Sequence, residues 1–423
     1  MKKYIKRIAD QKLQMHLESK GAVLIEGPKW CGKTTTANQI AKSVVEMDRP
    51  ELANQYQQMA NLNPSLLLEG DTPRLIDEWQ LAPNIWNAVR YEVDKRNDLG
   101  QFILTGSAVP AKIDKSSHTG TGRIARMKMR TMSLFESGDS SADVSLRDLF
   151  MGHDISAVNN DTLDKIAFLI CRGGWPRAIG VKERVALRQA IDYYDAVVNI
   201  DMSRVDDSKK DPQRTRRLLH SYARHIGSQA SLESIRSDLV ANETETFSQD
   251  TLYSYLDALR RIHVLEDSPA WNPNLRSKTA IRTTDTRYFS DPSIAAASIG
   301  IGPNDLQNDL NTMGFFFENM CIRDLRVYAE MLDGDVYHYR DKTGLECDAV
   351  VHLRNGSYGL IEVKLGGDDL IEEGASSLQA LASSIDTSKM PAPSFLMVLT
   401  AITPFAYIRS DGVYVVPIGS LAP

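Results

Sequence analysis

The chain of 423 residues is longer than one hydrophobic core supports, so two or three domains are expected. Its 42% apolar and 25% charged residues are typical of a soluble globular protein, and no apolar run is long enough to span a membrane. The net charge of −6 gives no overall electrostatic case for nucleic-acid binding. Its four scattered cysteines fit neither a disulfide framework nor a metal site, so we expect a cytoplasmic protein with reduced thiols and no signal peptide.

Residues Gly27–Thr34 read Gly-Pro-Lys-Trp-Cys-Gly-Lys-Thr, the full pattern of a phosphate-binding loop. An apolar run at 22–25 predicts a buried strand before it, and apolar residues spaced from Ala37 to Val45 predict a helix after it. The loop's N–H groups would cradle phosphate oxygens, Lys33 would reach the β- and γ-phosphates, and Thr34 would bind Mg²⁺. The predicted ligands are therefore ATP and Mg²⁺. The residues expected at the nucleotide are Gly27, Pro28, Lys29, Trp30, Cys31, Gly32, Lys33, Thr34, Thr35 and Ser107.

Two acidic residues end the next apolar segment, Leu75-Ile76-Asp77-Glu78. Asp77 is expected to hold Mg²⁺, directly or through water, and Glu78 to orient or deprotonate the water that attacks the γ-phosphate. The alternative is a strand end with two solvated acids. A third apolar segment, residues 101–107, ends in the hydroxyl residues Thr105 and Ser107. Either hydroxyl is a candidate contact to the γ-phosphate, and either is equally compatible with a turn.

A stretch rich in Gly and Arg follows, from His118 to Arg130. Arginine near developing phosphate charge stabilises the transition state, either within the chain or from a neighbouring subunit. Arg123 and Arg126 are the candidates, and Arg123 is preferred because a glycine precedes it. An arginine acting from a neighbour requires an oligomer. The alternative is a basic surface loop followed by a strand.

Together these segments resemble a widespread family of prokaryotic AAA-type ATPases. The resemblance rests on the phosphate-binding loop, residues 73–80 with Pro83, residues 103–107 and Gly122-Arg123. It extends from about residue 20 to about residue 405. Gly173-Gly174-Trp175-Pro176 is similar to a Gly-Gly-aromatic-Pro turn of the family, whereas Trp79 replaces a small aliphatic residue. The resemblance implies an AAA-type parallel-sheet domain over 1–150 and a C-terminal domain related to restriction-endonuclease folds.

The middle of the chain has two patterns. Residues 137–164 are rich in Ser, Asp, Asn and Gly, which predicts a lid or linker segment rather than a core. Residues 185–205 have helical periodicity, and the family resemblance implies that they form a helical lid on the ATPase domain. We therefore expect a helical lid or linker over 151–213.

Residues 214–300 have the pattern of a winged helix. Three helices are predicted, the second capped by Ser231 and the third opening at Ser248, followed by strand-like Val264-Leu265 and Thr279–Tyr288. Such a third helix enters the DNA major groove in DNA-binding members of this fold. Residues 214–289, however, contain 11 Lys and Arg and 9 Asp and Glu, which gives a net charge of only +2. Binding of a protein partner is therefore an alternative to DNA binding for this region.

The C-terminal region, 301–423, contains a second set of chemically important residues. The alternating segment 358–365 places Glu362 and Lys364 on one face of a strand, and a short turn joins it to an apolar strand that begins at Asp348. Two adjacent carboxylates can hold Mg²⁺, while a lysine positions water or stabilises a leaving phosphate. The arrangement resembles the Asp…Glu-x-Lys motif of restriction-endonuclease-like nucleases. Glu318 matches an additional acidic metal ligand on their first helix, and Gln379 an accessory polar position.

We therefore expect an α/β protein with a P-loop NTPase domain of AAA type, a winged-helix middle and a restriction-endonuclease-like C-terminal domain. The expected catalytic residues are Lys33, Glu78, Arg123, Asp348, Glu362 and Lys364. The leading hypothesis is Mg²⁺-dependent ATP hydrolysis. An ATP-regulated nuclease acting on DNA or RNA is one alternative, and a nucleotide-switched module that binds protein or DNA is another. Glu362 and Lys364 could also be an exposed ion pair on an edge strand.

Overall fold

A computed structural model of the chain describes residues 4–107, 120–205, 210–240, 247–272 and 284–423. The chain forms two compact units. The first comprises Met1–Thr131, Asn199–Lys210 and Leu256–Val264, and the second comprises Met132–Val198, Asp211–Tyr255 and Leu265–Pro423. The boundary after the nucleotide-binding segment thus falls at Thr131, not at residue 150.

The first unit contains a sheet of five parallel strands in the order β2-β3-β4-β1-β5. Parallel strands end at the same edge of a sheet, so the segments that follow β1 and β3 meet there. Its elements are α1 (Ile8–Ser19), β1 (Ala22–Glu26), α2 (Lys33–Ala37), β2 (Ser43–Glu46), α3 (Ala53–Leu62), β3 (Arg74–Asp77), α4 (Ile85–Arg96), β4 (Phe102–Gly106) and β5 (Ile124–Lys128).

The sheet of the first unit is covered on both faces. Along β1, Ala22 and Leu24 pack into one apolar cluster, while Val23 and Ile25 pack into another. A strand buried on both faces has a continuous apolar sequence, as predicted for residues 22–25. Trp79, the unusual residue after the two acids, is buried in the first of these clusters with its ring 5.4 Å from that of Trp86.

The helix after the phosphate-binding loop is shorter than predicted. It ends at Ala37, and Val44 and Val45 lie in β2, where they pair with Leu75 and Ile76 of β3. The predicted helix through Val45 is wrong because the β-branched residues gain a parallel strand partner. That partner lies about thirty residues away in the sequence and cannot be inferred from helical spacing alone.

The second unit contains a mixed sheet of seven strands in the order β7-β12-β13-β11-β10-β9-β8. Helix α11 begins in this unit, and its residues from Leu256 onward belong to the first. The elements are α5 (Leu134–Ser137), β6 (Val144–Ser145), α6 (Leu146–Met151), β7 (Ala157–Val158), α7 (Leu163–Arg172), α8 (Glu183–Ala196), α9 (Pro212–Arg224), α10 (Leu232–Val240), α11 (Gln249–Arg261), α12 (Pro292–Ile299), α13 (Pro303–Asn308), α14 (Leu310–Met331), β8 (Gly334–Arg340), β9 (Glu346–Leu353), β10 (Tyr358–Lys364), α15 (Asp368–Ser384), β11 (Phe395–Thr400), β12 (Phe405–Ile408), β13 (Tyr414–Pro417) and β14 (Leu421–Ala422).

The segment predicted as a lid or linker, residues 137–164, is part of this second unit. β7 pairs with β12 at the edge of the seven-stranded sheet, and β6 pairs with β14 near the end of the chain. Leu146 and Leu149 of α6 are fully buried. The interpretation of this segment as a non-core linker is therefore wrong. Its two-residue strands have partners more than 240 residues away, which local composition does not reveal.

The three helices predicted for the middle region are present as α9, α10 and α11. Antiparallel bridges join Leu265 to Phe289 and Ser268 to Thr286, in place of a continuous two-stranded ribbon. The predicted cap is present, because the Ser231 hydroxyl accepts a hydrogen bond from the Ser234 amide at 3.0 Å. Residues 279–283 of the predicted second strand lie outside the described residues. Among the helices of the described ranges, none combines the length and apolar character that a membrane crossing requires.

Candidate nucleotide site and carboxylate cleft

The phosphate-binding loop passes from the end of β1 to the start of α2 along a tightly packed path. A Cβ atom at Gly27, whose φ is 156°, would lie 2.0 Å from the carbonyl oxygen of Met129, so only glycine fits there. Gly32 caps the amino end of α2 with a φ of 106°. Because α2 has only five residues, its dipole adds little, and phosphate binding would rest on the loop N–H groups and Lys33.

Lys33 is buried and lies across the loop that carries it. Its ammonium donates to the carbonyl oxygens of Gly27 at 2.9 Å and Pro28 at 2.8 Å. A buried ammonium beside a loop that can surround an oxyanion suits a phosphate ligand. Of the other predicted contact residues, Cys31 and Ser107 are buried, whereas Trp30 is 45% exposed. Thr35 is also exposed.

Sequence reasoning missed two residues that hold the loop. The buried guanidinium of Arg7 donates to the Cys31 carbonyl at 2.8 Å and to the Arg130 carbonyl at 2.9 Å. Lys29 forms an ion pair of 2.5 Å with the buried carboxylate of Asp201. Neither partner follows a motif, and Asp201 lies 172 positions after Lys29, so no local signal identified them.

Asp77 ends β3 at the same edge of the sheet as the loop. Its Oδ1 atom accepts a hydrogen bond from Thr34 at 2.8 Å and another from Thr105 of β4. The Asp77 carboxylate is therefore surrounded by hydroxyl oxygens, and it does not behave as a solvated strand end. Carboxylate and hydroxyl oxygens are the donors that Mg²⁺ prefers, so these residues fit the predicted ion. Of the two candidate hydroxyls, Thr105 within β4 makes this contact, and a role for Ser107, which follows β4, stays a prediction.

Glu78 follows Asp77 in a left-handed backbone conformation, with φ of 53°. This reversal aims its side chain away from the direction that a continued strand would give. Burial raises the pKa of Glu78, while the Gln80 side-chain hydrogen bond and the nearby Lys33 charge oppose that shift. A carboxylate with a raised pKa is a better proton acceptor for water than an exposed one. Glu78 thus lies near Lys33 of the loop with a raised pKa, and its role as a general base stays a prediction.

The two candidate arginines differ in their distance from the loop: Arg123 is remote from it, whereas Arg126 contacts Glu26, the residue just before Gly27. Arg123 precedes β5, and its guanidinium contacts Asp94. β5 runs parallel to β1, so Arg123 lies at the amino ends of the strands. The phosphate-binding loop lies at the opposite ends, about five strand residues or roughly 16 Å away. Arg126 pairs with Glu26 at 3.0 Å and lies over the Trp86 ring. Arg123 therefore cannot serve the loop of its own domain in this conformation, and its action from a neighbour stays a prediction.

The C-terminal carboxylates come together as the sequence predicts. β9 and β10 are antiparallel, with Ile361 opposite Ala349, so Glu362 lies next to Asp348. Asp348 Oδ2 accepts the Val363 amide at 2.8 Å, and Lys364 Nζ lies 3.3 Å from Glu362 Oε2. β10 is flanked by β9 and β11, and Glu362 is only 3% exposed. The alternative of an exposed ion pair on an edge strand is therefore wrong.

Glu318 approaches the same residues from α14 and receives a hydrogen bond from the hydroxyl of Tyr288. We refer to Glu318, Asp348, Glu362 and Lys364 as the carboxylate cluster. The sequence pattern predicts only a strand for Tyr288 and gives no sign of its contact with Glu318. Gln379 donates to the carbonyl of Asp411 at 3.1 Å and is not among the residues that line the cleft beside the cluster.

The carboxylate cluster has more negative charge than its surroundings neutralise. Burial and the charge of Asp348 raise the pKa values of Glu318 and Glu362 well above the ordinary range. Burial also raises the pKa of Asp348, to about 6. Glu362 Oε1 is buried without a hydrogen-bond partner in the described structure. A buried carboxylate oxygen in this condition is stabilised by a proton or by a cation.

Three residues of the cluster, Glu318, Asp348 and Lys364, line a cleft of about 570 Å³ together with Tyr288, whereas Glu362 is buried behind them and is not among the lining residues. In the described ranges, no three His, Cys, Asp or Glu side chains converge as a group able to hold a metal ion. Asp348 and Glu362 therefore supply two carboxylates, and the ligand role of Glu318, whose carboxylate binds Tyr288, stays a prediction.

The Gly-Gly-Trp-Pro turn belongs to a separate buried network. Asp291 accepts the Gly174 amide at 2.9 Å and pairs with Arg323 at 3.1 Å, and Arg323 pairs with Asp324 at 2.7 Å. Trp175 donates to the Ser293 hydroxyl at 2.9 Å. Arg323 is 1% exposed, so this motif of the sequence anchors the interior of the second unit.

Comparison with known protein families agrees with the geometry of the first unit. Residues 19–137 match an AAA domain family. This chain contains an AAA-type P-loop domain. Residues 163–305 and 313–421 match two further families, each described only as a domain of unknown function (DUF8612 and DUF4143). The restriction-endonuclease-like and winged-helix assignments therefore stay predictions.

Two mycobacterial proteins are similar in sequence to most of the chain. Uncharacterised proteins of Mycobacterium bovis and Mycobacterium tuberculosis are 24% identical over 365 residues, which covers 85% of this chain and 74% of each relative.

Among solved structures, a Walker-type ATPase of Pyrococcus abyssi is 15% identical, with a TM-score of 0.43, and covers 70% of this chain and 96% of its own. The ORC2 protein of Aeropyrum pernix is 11% identical, with a TM-score of 0.33, and covers 72% and 94% respectively. Both scores are below 0.5, so these similarities add nothing to the functional assignment.

Proposed function

We propose that the chain binds ATP with Mg²⁺ and hydrolyses it at the loop edge of the first unit. The observation that carries this proposal is the meeting of the buried Lys33, the Thr34 hydroxyl and Asp77 at the end of parallel strands. The AAA domain match over residues 19–137 supports the same ligand class.

Each residue has a distinct part in the proposed reaction. Lys33 leaves its two loop carbonyls to bind the β- and γ-phosphates, which is favourable because it exchanges neutral acceptors for anionic ones. Thr34 and Asp77 would hold Mg²⁺, which offsets phosphate charge when bound. Glu78 accepts a proton from the attacking water, and its raised pKa suits that task.

The test of this proposal is Lys33→Ala, with Lys42→Ala, an exposed lysine outside the loop, as the matched control. Binding of a fluorescent ATP analogue and phosphate release are both measured. Lys33→Ala should abolish binding or hydrolysis, whereas Lys42→Ala should behave as the unmodified protein. Phosphate release that is unchanged in Lys33→Ala would contradict the assignment.

A second candidate function is favoured by the orphaned oxygen of Glu362. Asp348 and Glu362 would hold a divalent cation beside the cleft, and Lys364, which lines the cleft, would stabilise the leaving group of a phosphodiester. This proposal includes the assignment of residues 301–423 as a restriction-endonuclease-like domain. The paired antiparallel strands and the cleft of about 570 Å³ are its structural support.

Cleavage of labelled DNA and RNA with Mg²⁺ or Mn²⁺ tests the second function. Asp348→Ala and Glu362→Ala should each lose cleavage, while Glu373→Gln, which removes an exposed acid also paired with Lys364, should retain it. Cleavage that survives both cluster variants, or no cleavage across many substrates, would count against a nuclease.

We also infer that α9–α11 and the bridges at Leu265 and Ser268 form a winged helix. Its third helix exposes Gln249, Asp250, Tyr253 and Ser254, which is a poor surface for DNA phosphates. If α11 nevertheless contacts DNA, Asp250→Lys should strengthen binding. Loss of binding in that variant would show that α11 contacts DNA through its acidic face, contrary to our expectation that this face is a poor surface for DNA phosphates.

A further inference from the structure

A short helical turn follows Glu78 and brings a glutamine into contact with this acid. The turn covers Trp79–Leu81, and the Leu81 amide donates to the Glu78 carbonyl oxygen at 3.0 Å. Trp79 is 2% exposed and packs into the apolar cluster on one face of the sheet. Because the large ring is anchored in the core, the turn is fixed and the next side chain, that of Gln80, has a defined place beside Glu78.

The side chains of Gln80 and Glu78 are joined by a hydrogen bond. The Nε2 atom of Gln80 donates to Oε2 of Glu78. An ionised carboxylate only accepts hydrogen bonds, so the nitrogen of the amide faces it and the amide oxygen is left for another donor. That oxygen, Oε1 of Gln80, is buried and has no hydrogen-bond partner in the described structure. A buried amide oxygen without a donor is unfavourable, which indicates a place for a further donor.

The unpartnered oxygen lies between the acids and the phosphate-binding loop. β4 is flanked by β3, which ends in Asp77, and by β1, which leads into the loop. Gly106 is the last residue of β4 and pairs in register with Glu26, the residue just before the loop. A Cβ atom at Gly106 would lie 2.7 Å from Oε1 of Gln80, so the amide rests against this strand end and a larger side chain would displace it.

We propose that Gln80 is a further catalytic residue of the ATP hydrolysis proposed above, and that it holds the attacking water together with Glu78. Its Oε1 atom accepts a hydrogen bond from the water, while its Nε2 atom keeps the Glu78 carboxylate in place for the other water proton. Gln80 is only half-buried, and the terminal torsion of a glutamine is soft, so a small rotation brings Oε1 to a water at the loop edge. This inference rests on the function proposed for the first unit.

The two acceptors leave the water one productive orientation. When Gln80 and Glu78 each accept one proton of the water, a lone pair of its oxygen remains for the γ-phosphorus. The water oxygen bonds to the γ-phosphorus as the bond to the β,γ-bridging oxygen breaks, and the electron pair of that bond leaves with ADP. The proton that faces Glu78 passes to its carboxylate, whereas the proton that faces Gln80 stays on inorganic phosphate, because an amide oxygen is too weak a base to remove it.

The test is Gln80→Met, with Gln57→Met, which changes an exposed glutamine of α3, as the matched control. Methionine has a similar length but neither polar atom of the amide. The kcat for phosphate release from MgATP should fall by at least about thirtyfold in Gln80→Met, because the water is no longer oriented. The KM and the affinity for an ATP analogue should change by less than about threefold, since Gln80 contacts the water and not the nucleotide. Gln57→Met should behave as the unmodified protein.

Two further variants separate this role from a merely structural one. Gln80→Asn keeps the amide but is one methylene shorter, so it should also lose at least about tenfold in kcat with binding retained. The double variant Glu78→Gln/Gln80→Met should lose less than the product of the two single losses, because both residues act on the same water. Independent, multiplicative losses would contradict a shared water.

The remaining outcomes distinguish this inference from the function on which it rests. Phosphate release that is lost in Glu78→Gln but unchanged in Gln80→Met or Gln80→Asn would overturn the role of Gln80 and leave ATP hydrolysis in place. Faster release in Gln80→Met would show that the glutamine restrains Glu78, which also overturns it. A loss of analogue binding equal to the loss of kcat would assign Gln80 to nucleotide binding instead. Absence of release by the unmodified protein would overturn both proposals.

Discussion

The nucleotide site of the first unit and the carboxylate cluster of the second both bury acids beside a lysine, yet they differ in how those acids are partnered. Asp77 receives hydrogen bonds from the hydroxyls of Thr34 and Thr105. Glu362, by contrast, has a buried oxygen without a partner among the described residues and lies beside a second carboxylate.

The difference separates a site that is stable by itself from one that needs an added proton or cation. Hydroxyl donors satisfy the lone pairs of a carboxylate without adding charge, whereas adjacent carboxylates raise one another's free energy. The Asp291–Arg323–Asp324 network in the second unit shows a third solution, a buried cation shared by two acids. It provides a reference for what full pairing contributes to stability.

The largest expected effect is the loss of that reference network. Arg323→Ala leaves Asp291 and Asp324 buried without their cation, and should lower the free energy of unfolding by about 3–5 kcal/mol. Denaturant unfolding followed by circular dichroism measures it. Arg188→Ala, which removes an exposed ion pair with Asp192, is the control and should change stability by less than about 1 kcal/mol. Equal effects of the two variants would show that burial does not distinguish them.

Next in size is the effect of removing the acid of the nucleotide site. Asp77→Asn keeps the shape of the side chain and removes its charge, so phosphate release should fall by about a hundredfold, equivalent to ~3 kcal/mol. The comparison variant is Asp71→Asn, which changes an exposed acid on the segment before β3. A fall of less than about threefold in Asp77→Asn would contradict the role assigned to this carboxylate.

Removing a charge from the carboxylate cluster should stabilise the protein at pH 8, in contrast to Arg323→Ala, which should destabilise it. Because the pKa values of the cluster are raised, the folded protein holds protons that the unfolded chain releases. The free energy of unfolding therefore falls as the pH rises above about 4, the ordinary carboxyl range. The fall continues through the pKa of Asp348, at about 6, and beyond. Glu362→Gln should therefore raise the melting temperature by a few degrees at pH 8 and have little effect at pH 4.

Divalent cations provide the complementary measurement on the same variant. Mg²⁺ or Mn²⁺ should stabilise the unmodified protein at pH 8 but not Glu362→Gln, because binding requires both carboxylates. Glu373→Gln, at an exposed acid, should follow the unmodified protein in both experiments. If Glu362→Gln is less stable than the unmodified protein at pH 8, the negative charge of the cluster is already neutralised in the folded protein.

The smallest expected effect concerns the second hydroxyl at Asp77. Thr105→Val keeps the shape of the buried side chain but removes one of two donors, so phosphate release should fall by roughly tenfold or less. Thr105→Ser, which retains the donor, should restore most of the rate. If Thr105→Ser is as slow as Thr105→Val, the methyl group rather than the hydroxyl is what matters.

Much of each site could be inferred from sequence because its chemistry is local. The loop Gly27–Thr34 and the acids at 77–78 follow apolar strands, and the strands that carry Asp348 and Glu362 are joined by a short turn. In each case a pattern within about twenty residues fixes the neighbours. Parallel pairing then brings the loop and the acids to one edge of the sheet.

The errors share a different cause. β2 and β7 are short segments whose strand character depends on partners far away in the sequence, and the linker interpretation of 137–164 failed for that reason. Arg7 and Asp201 support the loop through contacts that no motif encodes. The position of Arg123 at the amino ends of the strands follows from strand direction, which a glycine-rich stretch does not reveal.

The central claim, ATP hydrolysis at the loop edge, is tested most directly by Glu78→Gln. Steady-state phosphate release from MgATP and binding of an ATP analogue are measured for this variant and for the unmodified protein. Release by the unmodified protein should be lost by at least about a hundredfold in Glu78→Gln, with binding retained, because only the proton acceptor is removed. Absence of ATP-dependent phosphate release in the unmodified protein, or an equal rate in Glu78→Gln, would contradict it.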